Sequence, residues 1–303
     1  MNFSQLFRRK TCWATAIYLQ DQLIIPLLIP PNYLLDSKKL IRGPKHKHTK
    51  ADPFLFLEDG RLFILYETQA ADDFGVIEAA EITQTGILYL GVILQECFHL
   101  SYPSLIRYRD EIYMIPECQG SNELRLYRFT KFPREPIYVR TLLRGRFADP
   151  SPVIVDNTLF IFTTTQRGLE IFYTDDLSCG ALYSHPSNPI STDPRLSRCG
   201  GIPFTVEGKL IRPAQDGSRY YGSNVVLMRI DLITKHDYVE TLYKDNVFLC
   251  DQNWNSEGGH HISVAKLPNG FAIAVDGQTY DYLVHKLFMR VWLTIAGKRR
   301  IRS

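Results

Sequence analysis

The stretch ADPFLFLEDGRLFILYE, Ala51 to Glu67, decides the fold because the chain writes it more than once. SYPSLIRYRDEIYMIPE, Ser101 to Glu117, has the same length and layout. Each has a Pro near the start, an apolar run, a polar turn, a second apolar run and a closing Glu. ADPSPVIVDNTLFIFTT, Ala148 to Thr164, restores the Ala-Asp-Pro opening. GIPFTVEGKLIRPAQ, Gly201 to Gln215, is a shorter fourth copy. HHISVAKLPNGFAIAVDG, His260 to Gly277, is a fifth that has lost the opening Pro.

Each copy reads as a β-hairpin: two short apolar strands around turns such as Asp59-Gly60 or Pro268-Asn269-Gly270. A third strand follows each copy: GVIEAAEI, NELRLYRF, GLEIFYT, NVVLMRIDL and, after the fifth, YLVHKLFMRVW. Helical periodicity is nearly absent. A unit of about 40–50 residues repeated in this way is the signature of a propeller blade. The expectation is an all-β, five-bladed β-propeller spanning 1–303 as a single domain. Its blades open near Asp52, Tyr102, Asp149, Gly201 and His260. TCWATAIYLQ, near the N-terminus, is expected to join the last blade and close the ring, which removes exposed strand edges. The bland alternative is chance resemblance among hairpins of a β-sandwich; the equal lengths and the recurring ADP argue against it.

Composition narrows the function classes. A formal net charge of +3 is too small to suggest nucleic-acid binding, and no recognition helix is evident. No apolar run approaches the ~18 residues of a membrane span, and the N-terminus reads as mature protein rather than a signal peptide. Six scattered Cys without a C-x-x-C pair fit a reducing cytoplasm better than a disulfide framework or a zinc site. No metal or cofactor is expected. The basic stretch Lys38 to Lys50, within a connecting loop at 36–50, reads as solvated, as does the tail GKRRIRS. The competing reading is a contact with anionic lipid heads, which would place the protein at a membrane periphery.

The first strand of a propeller blade lines the central channel, so the five openings converge at one mouth. Asp52, Tyr102, Asp149 and the pair His260-His261 become neighbours there. For one Asp-Pro the plain reading is a capped turn; two at equivalent positions favour function. For Tyr102 the plain reading is a buried ring with a satisfied hydroxyl. Glu67 and Glu117 close the second strands of blades one and two and face either the mouth or the rim. Arg198, Arg212, Gln215 and Asp216 are polar groups in or beside apolar strands, suited to sugar hydroxyls or phosphate.

The ordered set ADPFLF, HLSYPSLI, IYMIPE, LRLYRFTKFP, NPI, RCGG and RPAQD…YG resembles the N-terminal domain of glucosamine inositolphosphorylceramide transferases, over roughly Trp13 to Tyr243. That domain is related to the five-bladed propellers of furanosidase-type glycoside hydrolases. The resemblance implies sugar or glycolipid chemistry, with a saccharide, sugar nucleotide or glycolipid as partner. In the related hydrolases an Asp opening blade one is the base and an Asp opening blade three tunes and positions; Asp52 and Asp149 match. The His pair is similar to their blade-five histidine. Their acid is a Glu opening blade four, where this chain has Cys199-Gly200-Gly201. Inversion needs a base and an acid ~6.5–9.5 Å apart, and Glu117 is the candidate replacement. The plant transferases carry a glycosyltransferase domain after the propeller; the expectation here is a propeller without it. Two expectations follow. One is a carbohydrate-active enzyme using Asp52, Asp149 and Glu117, with Glu67, Tyr102, Arg198, Arg212, Gln215, Asp216, His260 and His261 binding substrate. The other is a non-catalytic saccharide-binding module beside a separate glycosyltransferase. A structural scaffold is the third and weakest, since it would not need polar anchors.

Overall fold

The computed structural model describes residues 9–25, 27, 29–35, 47–70, 74–248 and 252–282. In chain order the strands begin with β1 (Arg9–Gln20) and β2 (Tyr33–Leu35). Blade one holds β3 (Lys47–Glu58), β4 (Arg61–Ala70), β5 (Val76–Thr83) and β6 (Gly86–Leu94). Blade two holds β7 (Ser101–Tyr108), β8 (Glu111–Glu117), β9 (Glu123–Lys131) and β10 (Arg134–Arg144). Blade three holds β11 (Ala148–Val155), β12 (Thr158–Thr165), β13 (Gly168–Thr174) and β14 (Tyr183–Ser184). Blade four holds β15 (Phe204–Val206), β16 (Lys209–Asp216), β17 (Asn224–Ile233) and β18 (Tyr238–Lys244). β19 (Ile262–Leu267) and β20 (Gly270–Tyr282) belong to blade five.

Blades one to four are antiparallel meanders of consecutive strands, and the fifth runs β19-β20-β1-β2. The chain is therefore a five-bladed propeller whose ring is closed by its N-terminal segment. Closure is more extensive than one strand. β1 pairs with β20 from Arg9↔Tyr282 to Gln20↔Phe271, and β2 adds the outer edge. β1 thus takes the third-strand place expected for YLVHKLFMRVW, most of which lies outside the described residues. The basic connection expected over 36–50 also lies outside them up to residue 46; from Lys47 the chain is already in β3. Cys250 and the basic tail are likewise outside. No disulfide links the other five cysteines to one another. Among the described residues no helix is long and apolar enough to cross a membrane.

Turn chemistry sets the hairpin registers. Asp59-Gly60, Arg109-Asp110, Asp156-Asn157 and Glu207-Gly208 each have two successive positive φ values, between 48° and 74°. Glu58↔Arg61, Tyr108↔Glu111, Val155↔Thr158 and Val206↔Lys209 flank them. Two-residue loops with both φ positive are I′ turns, whose twist matches that of the strands. The second strands are packed between neighbouring blades, which is why Leu62–Tyr66, Ile112–Ile115 and Leu159–Phe162 are unbroken buried apolar runs. The outer strands are exposed on one side, leaving Leu88, Tyr89, Ile137, Tyr138 and Leu242 in solvent.

The openings depart from regular strand. Between Ala51↔Glu67 and Phe54↔Leu65, two residues face one, and the same shift occurs between Ser101 and Ser104 and between Ala148 and Ser151. Asp52, Tyr102 and Asp149 sit in these bulges with φ of 49°, 47° and 51°. A bulge re-aims a side chain out of strand alternation. Asp tolerates the left-handed region well, whereas for a bulky Tyr it is strained. In blades one to three the repeated opening is thus a device for re-aiming one side chain per blade, not a local capped turn.

Candidate functional site

Around the axis the blade openings interlock. Tyr102 N–H donates to Asp52 Oδ2 at 3.2 Å, and Asp52 N–H donates to Asp276 Oδ2 at 3.2 Å. Asp149 N–H donates to Glu117 Oε2 at 3.0 Å. Acids of one blade thereby hold the opening of the next. Tyr102 reaches across: its hydroxyl meets Ser151 Oγ at 2.7 Å and accepts the Gly201 N–H at 2.8 Å. The Tyr102 ring packs edge-on with Phe54 (4.9 Å between centroids) and His261 (5.1 Å), an aromatic plug beneath the mouth.

Asp276 organises the blade-five side. Its Oδ1 accepts the N–H groups of His260 and His261 at 2.8 and 3.0 Å, and its Oδ2 lies 2.6 Å from His260 Nδ1. The other nitrogen of that ring, Nε2, is 3.7 Å from Asp52 Oδ1. The Trp13 ring stacks on His260 at 4.3 Å and 28°. Asp149 is matched by Arg198, whose Nε donates to Oδ2, and by Gln215 Nε2 at 3.2 Å. Glu67 lies 3.5 Å from His99 Nε2.

The electrostatics follow from burial. Asp52 is 5% exposed. Desolvation pushes its carboxyl up to about 7 against the pull of His260, and the charge of Asp276 pushes the same way. Desolvation and then Asp149 push Glu117 up to about 8, although Arg198 opposes this. Burial raises Glu67 well above the usual range, with the charges of Asp52 and Glu117 adding to it. Burial would lower His260, but Asp276 and Asp52 outweigh it and the imidazole is raised. Asp276 is lowered despite burial by that same partner. For His261 burial outweighs the opposing pull of Asp276, and the imidazole falls to about 3 and stays neutral.

Asp52, Glu67, Glu117, Asp149 and Asp276 therefore act on one another, with Arg198 and His260 as the opposing cations. Two acids with raised pKa values and different neighbours can divide a proton-transfer task. Among the described residues no hydrogen bond reaches Asp52 Oδ1, so that oxygen is available to accept a proton. Asp52, His260 and Asp276 also offer one atom each within 4.8 Å of one another and could hold a cation; in this structure the imidazole fills that role by pairing with both carboxylates.

Of the residues singled out from sequence, Asp52, Asp149, Glu117, Glu67, Tyr102, Arg198, Gln215, His260 and His261 gather at or just beneath the mouth. Arg212 and Asp216 do not. On β16, Gln215 points toward Asp149, and alternation turns 212 and 216 to the opposite face. Arg212 is fully buried and forked onto Glu240 at 2.7 and 2.8 Å, a structural ion pair. Asp216 accepts Ser218 N–H and closes a turn. Sequence reasoning missed Asp276, although on its second strand it faces the blade opening as Glu67 and Glu117 do. It also missed Trp13 and Tyr221, which no repeat flags because each comes from outside the hairpins.

A family model described as glucosamine inositolphosphorylceramide transferase 1, N-terminal, matches residues 39–278. The transferase 1 of that name from Oryza sativa subsp. japonica is 37% identical over 242 residues, 74% of this chain and 32% of its own length. The one from Arabidopsis thaliana is 31% identical over 258 residues, 79% of this chain and 34% of its own. The chain thus spans about a third of the length of these relatives. Among solved structures, a thermostable family-43 glycoside hydrolase superposes with a TM-score of 0.56 at 14% identity, covering 76% of this chain and 89% of its own. A family 117 glycoside hydrolase from Zobellia galactanivorans gives 0.51 at 14%, covering 78% and 85%. At such identities these two likenesses concern the fold alone.

Proposed function

Because the chain belongs to the family of glucosamine inositolphosphorylceramide transferase N-terminal domains, and so has a carbohydrate-related role, we propose that its mouth binds a saccharide during glycan or glycolipid assembly or modification. The observation that carries this reading is Asp52: a buried carboxyl pushed up to about 7, with one oxygen held by Tyr102 N–H and the other without a hydrogen bond, 3.7 Å from His260 Nε2. Asp52 would take a proton through Oδ1. Glu117, pushed up to about 8, would give one. Asp149, held by Arg198 and Gln215, would position a hydroxyl.

The charge balance favours the kind of ligand. A diphosphate would need cations that are free of carboxylate partners. Arg198 is committed to Asp149 and Arg212 to Glu240, so neither stands ready for phosphate. A neutral or aminated sugar suits the mouth better. One observation favours a non-catalytic module instead: the acids of the mouth also hold neighbouring blades together, and blade four contributes none at its opening.

Turnover separates the two. Incubation with glycosides and nucleotide sugars should give a product with wild type and none with Asp52→Asn. A base at about 7 and an acid at about 8 predict a narrow bell-shaped pH profile between them. Saccharide binding without product, in wild type and Asp52→Asn alike, would leave the module and remove the enzyme.

A further inference from the structure

Tyr221 lies in the loop between β16 and β17, and half of its surface is exposed. That loop is pinned. Gly217 N–H donates to Pro194 O at 3.0 Å, Ser223 Oγ–H donates to Asp216 O at 2.6 Å, and the Tyr220 hydroxyl donates to Glu257 O at 3.0 Å. Gly222, at φ +78°, lets the chain lie against Trp13; a Cβ there would sit 2.7 Å from Trp13 Cη2. The loop thus delivers one ring to a set place. The Tyr221 centroid is 5.0 Å from that of His260 at 80° and 6.1 Å from that of Trp13 at 73°.

The ring packs on His260, Trp13 and Arg198, yet half of the residue's surface stays in solvent beside the buried acids. Arg198 shows what it can do. Its guanidinium lies 5.1 Å from the Tyr221 centroid while its Nε donates to Asp149. A flat group with one face on Tyr221 and polar hydrogens toward a carboxylate makes the contacts that a sugar ring with its hydroxyls would make. The acids press the same way: the charges of Asp52, Asp149 and Asp276 all reach the phenol.

We propose that Tyr221 is the stacking platform of the mouth, taking the apolar face of one terminal sugar ring so that its hydroxyls meet Asp52 and Asp149. Arg198 shifts aside or stays as an edge contact when the ring enters. This inference rests on the saccharide reading above. It adds a specificity determinant that neither the hairpin repeat nor the blade openings supply.

The test is binding measured by saturation-transfer NMR, with D-glucosamine and methyl β-D-glucopyranoside as probes. Wild type, Tyr221→Phe, Tyr221→Leu and Tyr221→Ala are compared, each with its melting temperature. Wild type and Tyr221→Phe should bind at least one probe with affinities within about twofold. Tyr221→Leu keeps bulk but not the flat face, and it and Tyr221→Ala should lose about tenfold, equivalent to ~1.4 kcal/mol. Wild-type affinity in the Leu and Ala variants would overturn the platform while leaving the sugar site standing. Failure of wild type to bind either probe would overturn the saccharide reading and the platform with it.

Discussion

The two ends of the propeller's strands use the same residue types in opposite ways. At the turn face, carboxylates meet cations in solvent: Glu81 with Arg61, Asp176 with Arg109, Asp175 with Lys235, Asp231 with Arg229. Side-chain hydrogen bonds lower all four, led by Arg61 for Glu81, Ser178 for Asp176, Lys235 for Asp175 and Thr241 for Asp231. At the mouth, Asp52, Glu67 and Glu117 are raised, because burial removes water and the neighbours are mostly other acids. Stability alone would choose the first arrangement. The mouth keeps carboxyl groups in a costly setting, which is the usual mark of a functional site. Asp276 is the exception there, lowered by its imidazole partner, and it is the group on which the others depend.

That dependence predicts the largest effect. Asp276 serves the ring of His260, two blade-five N–H groups and the N–H of Asp52. Asp276→Ala leaves a buried imidazole and three N–H groups without their acceptor. We expect a loss of about 3–5 kcal/mol and a fall in melting temperature of roughly 10 °C, read by calorimetry. A variant that melts like wild type would show that the mouth is not held together through this carboxylate, and the contrast between the two faces would lose its centre.

The next effect is on pH dependence. Asp52 and Glu117 bind their protons more tightly folded than unfolded, so the stability they contribute is fully present below about pH 4 and lost as pH rises through about 7 and 8. His260, also raised, works in the same direction. His261 opposes them only below its ordinary value near 6.5, where the unfolded imidazole gains a proton that the buried one refuses. Between pH 6.5 and 9 the melting temperature should therefore fall, by about 5 °C. Glu117→Gln keeps an acceptor for Asp149 N–H and removes one titration, leaving those of Asp52, Glu67 and His260, so its decline should be shallower. An equal slope in both proteins would show that Glu117 is already ionised at neutral pH, and with that its role as proton donor would go.

How much of this was legible beforehand differs between the two faces. Asp59-Gly60 and its cognates announce hairpins by local chemistry, and the apolar runs of the second strands announce burial, so the blades could be counted from the sequence. The gathering of Asp52, Tyr102, Asp149 and His260 followed from that count. What did not follow depends on neighbours far apart in the chain. Arg212 reads as a site residue until Glu240, 28 residues on, is seen to hold it. Trp13 enters the site only because β1 crosses into blade five. The bulges at Asp52 and Asp149 are invisible in a pattern that treats Asp-Pro as a turn. Asp276 was recoverable, as the closing acid of the fifth copy, had that place been followed through every copy rather than the first two.

The smallest predicted effect sits at the turn face and bounds the comparison from the other side. Arg61 and Glu81 form a forked pair, one arm at 2.9 Å, on β4 and β5 of blade one. More than half of the arginine side chain is in water. Water and salt already screen two such charges, and ordering the long side chain costs entropy, so exposed pairs of this kind add little. The guanidinium also lies 5.0 Å from the Phe63 centroid, a contact its removal would expose rather than empty. Arg61→Ala should change neither saccharide binding nor the slope of stability with pH, and should move the melting temperature by less than about 2 °C. Its effect should be smaller still in high salt. A loss comparable to that of Asp276→Ala would mean that the exposed pairs hold the blades as firmly as the buried network does. The raised carboxyls would then no longer stand apart as the feature that stability alone leaves unexplained.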